Sequence, residues 1–177
     1  IEPTHLDVAR IRADFPILTR TVRGGHPLVY LDSGATSHKP RQVLDAMHEF
    51  YGHSYANVHR GVYRLAERAT AGYEGARQKV AGFLNAPSER EVIFTRSATE
   101  SLHPVAYAWG LQNLGPDDTV VITELEHHAN FVPWQFIASK TGASFRHIPI
   151  DDAGELRLEA LDDLAREGSI KVVATGL

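Results

Sequence analysis

The sequence predicts an α/β fold in which a mostly parallel sheet is covered by helices. Short runs rich in β-branched residues alternate with segments that have the apolar spacing of amphipathic helices. After residue 90 the successive runs start about 25 residues apart, which is the length of a strand–helix–strand unit. A short N-terminal helical arm over residues 1–20 precedes this pattern, and residues 21–177 form the α/β part.

The individual elements follow from apolar spacing and from proline and asparagine signals. Pro16 ends the first helix, Pro40 begins the second, and Asn85 with Pro87 ends the third. The predicted helices cover residues 8–15, 40–53, 60 or 65 to 84, 99–113, 130–140 and 158–167. The predicted strands cover residues 28–31, 91–95, 119–123, 144–148 and 171–175. Because an open parallel sheet rarely ends on its final strand, we expect a cut chain; a small complete domain is the alternative.

Composition excludes several classes of function. The 177 residues include 18 basic and 22 acidic side chains, a net charge of −4 that disfavours a nucleic-acid surface. No apolar run approaches the roughly 20 residues of a membrane span. The absence of cysteine excludes disulfides, thiolate metal sites and a thiol nucleophile. Charged residues interrupt residues 1–15, so we expect no signal peptide there and a cytoplasmic location.

Ligands of open α/β sheets bind beyond the carboxyl ends of the strands, so we expect site residues directly after the predicted strands. The segment after residue 95 contains Ser97, Ala98, Thr99 and Glu100 at a predicted helix start. Free backbone N–H groups, a hydroxyl and the helix dipole favour a phosphate there. The alternative is a capping box formed by Ser97 and Glu100, which needs no ligand.

Two adjacent histidines, His127 and His128, follow the strand at residues 119–123. Consecutive side chains diverge and no third ligand lies at a suitable spacing, so we expect no metal site. A histidine at a strand end can instead lie against an aromatic ligand or transfer protons near neutral pH. The alternative is a histidine that is merely hydrogen-bonded at the strand end.

Residues 57–61, with the sequence N-V-H-R-G, lie between two predicted helices. They suggest an exposed loop that offers hydrogen-bond donors; a helix cap with a solvated arginine is the alternative. Motifs for other chemistries are missing. The sequence has no G-x-G-x-x-G dinucleotide turn, no P-loop and no G-x-S-x-G nucleophile elbow.

Four motifs occur together in the order of one enzyme family, at residues 31–40, 57–61, 95–100 and 126–135. The last of them, the string E-H-H-x-N-x-V-P-W-Q, is the specific part. With these motifs the sequence resembles the SufS-type (group II) cysteine desulfurases, class V aminotransferase-fold enzymes that use pyridoxal 5′-phosphate (PLP). The resemblance implies a fold type I PLP-dependent transferase large domain, of which residues 21–177 are the N-terminal portion.

The resemblance implies roles for individual residues. Ala98 and Thr99 match positions that bind the cofactor phosphate, and His127 matches the catalytic histidine that stacks on the pyridine ring. His59 and Arg60 match a loop near the active site that partly serves the partner subunit of a homodimer. Ala35 matches a turn near the substrate pocket.

Departures from the family pattern lie close to the phosphate position. The family usually has G-T-T-E where this chain has Ser97 to Glu100, so one hydroxyl is missing. His103 replaces a usual asparagine and is followed by Pro104, and Tyr63 replaces a frequent histidine. We therefore expect a lower phosphate affinity than is typical of the family.

The resemblance implies an enzyme that converts L-cysteine to L-alanine and passes sulfur as a persulfide to an acceptor protein for iron–sulfur cluster assembly. The family's Schiff-base lysine, its pyridine-nitrogen aspartate and its persulfide cysteine lie further along the chain. None of the lysines is a credible substitute, so we expect this chain alone to be inactive. The lysines are Lys39, Lys79, Lys140 and Lys171.

Two other interpretations stay open at this point. The same fold could belong to a selenocysteine lyase or an epimerase-like class V enzyme, because the regions that distinguish these substrates are absent. A non-catalytic truncated homologue that acts as a binding module is the third interpretation, favoured by the altered phosphate segment and by His103.

Overall fold

The computed structural model describes residues 6–176, which divide into one compact unit up to Val92 and a second from Ile93 onward. Residues 1–5 of the expected N-terminal arm and Leu177 lie outside the described residues. The expected division at residue 20 stays a prediction.

The first unit is built from helices, as the apolar spacing predicts. Asn85 caps the third helix in the left-handed conformation (φ 55°), which confirms the expected stop before Pro87. Its α-helices are α1 (Val8–Ala13), α2 (Arg41–Glu49) and α3 (Arg64–Leu84). Its other helical turns are the 3₁₀ turns Pro16–Thr19 and Glu89–Glu91 and the π-helical turn Phe50–Ser54.

Two of the five expected strands do not form. Residues 28–31 are irregular, with Val29 75% and Leu31 92% exposed, and their neighbourhood contains only an isolated antiparallel bridge between Thr21 and Pro27. Residues 91–95 contain the end of a 3₁₀ turn followed by unpaired backbone, with Ile93 81% exposed. A strand exists only with a hydrogen-bonded neighbour, and no described segment pairs with either run.

The second unit contains a parallel sheet of three strands in the order β2-β1-β3. This confirms the expected parallel α/β architecture. The strands are β1 (Asp118–Thr123), β2 (Ser144–Ile148) and β3 (Ser169–Ala174). The α-helices are α4 (Ala98–Pro104), α5 (Leu111–Asn113), α6 (His128–Thr141) and α7 (Glu159–Glu167), with a π-helical segment, Val105–Gly110, between α4 and α5.

The core of the second unit lies around the central strand. Val120, Val121 and Ile122 are each 0% exposed, and successive side chains of a strand point to opposite faces, so both faces of β1 are covered. Val120 packs with Trp134 and Ile137 of α6. Because β1 is buried on both faces, its sequence is a continuous apolar run rather than an alternating one.

Pro104 lies in the second turn of its helix. It is the last of seven α-helical residues that begin at Ala98. Proline has no N–H for the i−4 carbonyl, and the π-helical segment begins at the next residue, Val105. The helix continues through this change of hydrogen-bond pattern and reaches Asn113.

One carboxylate joins the carboxyl ends of two strands to the start of a helix. Glu126 Oε1 accepts hydrogen bonds from Thr123 Oγ1 at 2.9 Å and from the N–H of Gly176 at 2.7 Å. Glu126 Oε2 accepts from Asn130 Nδ2 at 2.8 Å. Thr123 ends β1, Gly176 follows β3 and Asn130 lies in the first turn of α6, so the carboxylate holds three elements in register.

These donors also stabilise the charged form of Glu126. Burial raises its pKa, but the hydrogen bonds from Asn130, Gly176 and Thr123 outweigh burial and hold the pKa below its ordinary value. Its carboxylate is therefore ionised throughout the neutral range.

The N-V-H-R-G loop of the first unit lies unusually close to α3. A Cβ at Gly61 would lie 2.2 Å from Cβ of Ala66, which is 0% exposed. Glycine is required at this position by the close approach of the backbone to the helix. Gly72, within α3, has open space where its Cβ would lie.

Over residues 6–176, each helix falls short of the length and apolar content that crossing a membrane requires.

A pair of glycine substitutions in the first unit tests the close approach. We expect Gly61→Ala to lower the free energy of unfolding by about 1–3 kcal/mol, because the new methyl overlaps Ala66. We expect Gly72→Ala, the matched control, to raise it by up to about 1 kcal/mol through the better helix propensity of alanine. Urea unfolding followed by circular dichroism measures both. Equal effects of the two variants would contradict the close approach.

The Glu126 carboxylate predicts a stability difference that depends on pH. We expect Glu126→Gln to destabilise the protein by about 1–3 kcal/mol at neutral pH, because the donors lose a charged acceptor. A lowered folded-state pKa stabilises above the unfolded-state pKa, and this contribution disappears as pH falls through the folded-state pKa. The gap between wild type and variant should therefore narrow below about pH 4. Denaturant midpoints across pH test this, and a constant gap would argue against it.

Candidate cofactor site

The start of α4 leaves backbone donors free, as the sequence predicts. Ser97 is the N-cap residue, and its Oγ accepts the N–H of Glu100 at 3.2 Å. The N–H groups of Ala98 and Thr99 precede the first intrahelical bond, and over residues 6–176 neither they nor the Thr99 hydroxyl has a protein partner. Only the Ser97 half of the capping box therefore forms, because the Glu100 side chain accepts the N–H of Arg96 and not that of Ser97. The cap uses only one of the available donors.

Glu100 would place a negative charge beside these donors if it were not paired. Its Oε2 accepts the backbone N–H of Arg96 at 2.6 Å, and the guanidinium of Arg96 lies 3.3 Å from each carboxylate oxygen. The side-chain and backbone hydrogen bonds from Arg96, opposed by a smaller effect of burial, hold the pKa of Glu100 below its ordinary value. Arg96 thus compensates the charge of Glu100 next to the helix start.

A cavity of about 620 Å³ opens beside this helix start. Arg96 and His103 contribute a cation and a titratable imidazole to its wall, and Thr99 contributes its hydroxyl. The volume lies within the range of small-molecule sites. The lining residues are Arg96, Ser97, Thr99, Glu100, His103, Pro104 and Tyr107.

A phosphorylated pyridine fits these residues chemically. The free N–H groups of Ala98 and Thr99, the Thr99 hydroxyl and the positive end of the helix dipole are donors for a phosphate. The guanidinium of Arg96 and the imidazole of His103 add further hydrogen-bonding groups at the wall. The missing second hydroxyl, at Ala98, removes one donor relative to a G-T-T-E segment.

His127 lies at the start of α6, which packs against α4. It is the N-cap residue, and its Nδ1 accepts the N–H of Ala129 at 3.1 Å. The ring is exposed, and the ring of His128 is edge-on to it at 6.4 Å. The hydrogen-bonded strand-end histidine, the alternative interpretation, is therefore present, and Nε2 is left to face a ligand.

The structure brings the predicted residues together only in part. Ala98, Thr99 and His127 belong to the second unit, on two helices that pack together. Neither Ala98 nor His127 lines the 620 Å³ cavity. Stacking of His127 on a ring whose phosphate binds at Thr99 stays a prediction.

His59 and Arg60 lie in an ordered loop of the first unit. His59 has a left-handed backbone (φ 71°), and its N–H donates to Thr70 Oγ1 at 2.9 Å. Its Nε2 lies 3.5 Å from Glu74 Oε1, and its ring meets Tyr73 edge-on at 5.5 Å. The side chain of Arg60 is exposed. The loop is held by α3 through His59, so it is more than a cap with a solvated arginine.

Sequence reasoning did not anticipate the residues that hold His59. Thr70, Tyr73, Glu74 and Arg77 recur at the i, i+3, i+4 and i+7 spacing of one helix face, which was the available signal. Arg77 pairs with Glu74 at 3.6 Å, and its guanidinium carbon lies 5.2 Å from the ring centre of Tyr73. Glu126 was also missed, because its partners are distant in sequence.

Ala35 lies in an exposed turn of the first unit. Its N–H and that of Thr36 donate to the carbonyl of Asp32 at 3.2 and 3.0 Å. Its place near a substrate stays a prediction.

Metal-ligating residues are scattered. Within residues 6–176, no three histidine, aspartate or glutamate side chains come close enough together to hold a metal ion.

Comparison with known proteins identifies the family. Residues 29–176 match the aminotransferase class-V family. A probable cysteine desulfurase of Streptomyces coelicolor is 54% identical over 176 residues, which are 97% of this chain and 42% of that protein. A cysteine desulfurase of Haloferax volcanii is 50% identical over 98% of this chain and 43% of its own length. The chain thus spans about two fifths of these relatives.

Solved structures agree with the fold. The apo cysteine desulfurase of Thermococcus onnurineus has a TM-score of 0.81 and 38% identity over 95% of this chain and 39% of its own. The Escherichia coli cysteine desulfurase CsdA, in an S-sulfonic acid form, has a TM-score of 0.71 and 41% identity over 88% of this chain and 38% of its own. The family match over residues 29–176 includes the start of α4 and the histidine at the start of α6. The chain belongs to the class V aminotransferase family of PLP-dependent enzymes.

Proposed function

We propose that these residues are the N-terminal portion of a PLP-dependent cysteine desulfurase, which converts L-cysteine to L-alanine and passes the sulfur on as a persulfide. The observation that carries the proposal is the helix start at Ala98 and Thr99, whose donors are free in a chain 54% identical to a probable cysteine desulfurase. The SufS-type assignment rests on the E-H-H-x-N-x-V-P-W-Q string.

The residues of α4 would hold the cofactor phosphate. The N–H groups of Ala98 and Thr99 and the Thr99 hydroxyl donate to it, and the helix dipole favours its charge. The guanidinium and backbone N–H of Arg96 pair with the charged carboxylate of Glu100. This pairing reduces the repulsion between that carboxylate and the phosphate. When bound, PLP supplies a pyridine ring that withdraws electrons from the substrate.

His127 would stack on the pyridine ring of the cofactor and assist proton transfer. Its imidazole is exposed at the start of α6, and Nε2 has no protein partner over residues 6–176. A neutral imidazole carries a proton on one ring nitrogen and a lone pair on the other, which suits a group that assists proton transfer during turnover.

The remaining catalytic groups are not among these 177 residues. The chain has no cysteine to take up sulfur, and its lysines are placed unfavourably for a covalent bond to the cofactor. Lys39 donates to the Ser37 carbonyl at 2.6 Å, Lys140 lies over the ring of Phe136, and Lys171 lies 3.9 Å from Asp118. We therefore propose that this chain alone is inactive.

The wider setting is proposed from the same resemblance. The complete enzyme would be a cytoplasmic homodimer that delivers sulfur to an acceptor protein for iron–sulfur cluster assembly. His59 and Arg60 would then lie near the partner subunit's active site. The anchoring of His59 on α3 supports this role, because a loop that serves another subunit needs a defined position.

Binding of a phosphorylated pyridine tests the proposal directly. Pyridoxine 5′-phosphate is the suitable probe, because it has no aldehyde to react with lysine. We expect it to shift the NMR signals of the Ala98 and Thr99 amides and of the His127 ring, and to bind more tightly than pyridoxine. We expect Thr99→Val to weaken binding about tenfold, since a hydrogen bond to a charged group is lost.

The matched control is Ser139→Ala, which removes an exposed hydroxyl from α6. It should leave the affinity unchanged. Equal affinity for pyridoxine and its phosphate, or shifts confined to other residues, would contradict the proposed site.

Catalysis by the isolated chain is a separate test. We expect purified residues 1–177 with PLP and L-cysteine to release sulfide no faster than free PLP does, because the sulfur-accepting thiol is absent. A methylene-blue sulfide assay measures this. If the chain releases sulfide faster than free PLP does, the proposal that the remaining catalytic groups lie outside these 177 residues is wrong.

A further inference from the structure

We infer that His127 is held as the neutral tautomer with its proton on Nε2, and that Glu126 is the positioning residue that maintains this arrangement. The inference about the imidazole stands on the structure alone. Its meaning for proton transfer rests on the proposed function.

The tautomer follows from the hydrogen bond at Nδ1. A backbone N–H can only donate, and the N–H of Ala129 lies 3.1 Å from His127 Nδ1. Nδ1 must therefore present its lone pair, and the proton of the neutral ring is on Nε2. Imidazolium carries protons on both nitrogens, so His127 must give up its helix cap to be protonated there.

This arrangement gives the two nitrogens different tasks. Nδ1 is a structural acceptor inside the first turn of α6, and Nε2 carries an N–H that has no protein partner over residues 6–176. His127 thus starts as a hydrogen-bond donor toward a ligand. A second proton on the ring must bind at Nδ1, and the hydrogen bond from the N–H of Ala129 to that nitrogen is then lost.

The carboxylate of Glu126 fixes the turn in which this cap forms. Its Oε2 accepts from Asn130 Nδ2 at 2.8 Å, and the backbone N–H of Asn130 donates to the His127 carbonyl at 2.8 Å. Asn130 is only 7% exposed. Glu126 and the backbone of His127 are therefore held by the same buried residue.

The orientation of Asn130 depends on Glu126. Its Oδ1 is buried and has no hydrogen-bond partner over residues 6–176. A flipped amide would place that oxygen against the carboxylate of Glu126, which the lowered pKa keeps charged. The carboxylate thus selects one amide orientation, and through it the geometry of the α6 start.

A histidine and a glutamate flank His127 in the sequence. His128, whose ring is edge-on at 6.4 Å, follows it in α6, and Glu126 directly precedes it in the connection from β1. His128 is exposed and has no hydrogen bond through its ring over residues 6–176, so it serves as an internal reference for a histidine whose ring nitrogens make no hydrogen bond.

The experiment measures both tautomers in the full 177-residue chain without cofactor. Long-range ¹H–¹⁵N correlation spectra at about pH 8, above the ordinary titration of imidazole, report which nitrogen carries the proton. We expect the ratio of the Nε2–H to the Nδ1–H form to be about fivefold higher for His127 than for His128, the effect of an ordinary N-cap bond. On acidification, the Ala129 amide signal should shift together with titration of the His127 ring and not with that of His128.

Variants separate the two parts of the inference. Glu126→Gln should reduce the excess of the Nε2–H form at His127, and Glu124→Gln should preserve it. Glu124 is the matched control because it is a nearby carboxylate that accepts one backbone N–H, that of Ile150 at 3.1 Å. Thr123→Val, which removes a single donor to Glu126, should cause a smaller reduction and serves if Glu126→Gln does not fold.

Each outcome decides one statement. A His127 ratio equal to or below that of His128 overturns the assigned tautomer. An excess at His127 that neither Glu126→Gln nor Thr123→Val alters overturns the positioning role. Because no cofactor is present, these results are independent of whether pyridoxine 5′-phosphate binds, and failure of the proposed function would be seen separately.

Discussion

The second unit depends on the hydrogen bonds that converge on one carboxylate. Glu126 accepts hydrogen bonds from the end of β1, from the first turn of α6 and from Gly176, two residues beyond β3. Parallel strands have no hairpin turn between them, so hydrogen bonds beyond the ladder add to the alignment of their ends. A charged acceptor stabilises such a junction because hydrogen bonds to an ionised group are stronger than neutral ones. The two residues that follow Glu126 are histidines. The first of them, His127, caps the helix whose first turn this carboxylate contacts.

The two helix starts of the second unit show that a cap and a ligand site are compatible. At α4, Ser97 takes up the N–H of Glu100, and the N–H groups of Ala98 and Thr99 stay available. At α6, His127 uses one ring nitrogen as a cap and leaves the other free. The sequence presented cap and ligand as competing interpretations, but a helix start has four unpaired donors, and one side chain satisfies only one of them.

Elements that depend on residues close in sequence could be predicted, and elements that depend on distant residues could not. Helices α2, α3 and α6 could be predicted, because apolar spacing, Pro40 and Asn85 act within a few residues. The strands expected at residues 28–31 and 91–95 were wrong, because a β-branched run becomes a strand only when a neighbour is present. The start of α4 was anticipated, since cap and donors are local.

The residues that support the site were hidden for the same reason. Gly176 reaches Glu126 across 50 positions of sequence, and no local pattern indicates that bond. The positive φ of His59 was equally hidden, because a histidine in the left-handed region needs its neighbours in space to hold it there.

The contact between Gly61 and Ala66 ties the N-V-H-R-G loop to a helix. A glycine in a loop often provides backbone freedom, but Gly61 instead allows the close approach of the loop to α3, a helix of 21 residues. Together with the hydrogen bond from His59 to Thr70 and the contact of His59 with Glu74, this close approach attaches the loop to α3. The exposed side chain of Arg60 therefore starts from a backbone that is anchored to the helix on both sides, at His59 and at Gly61.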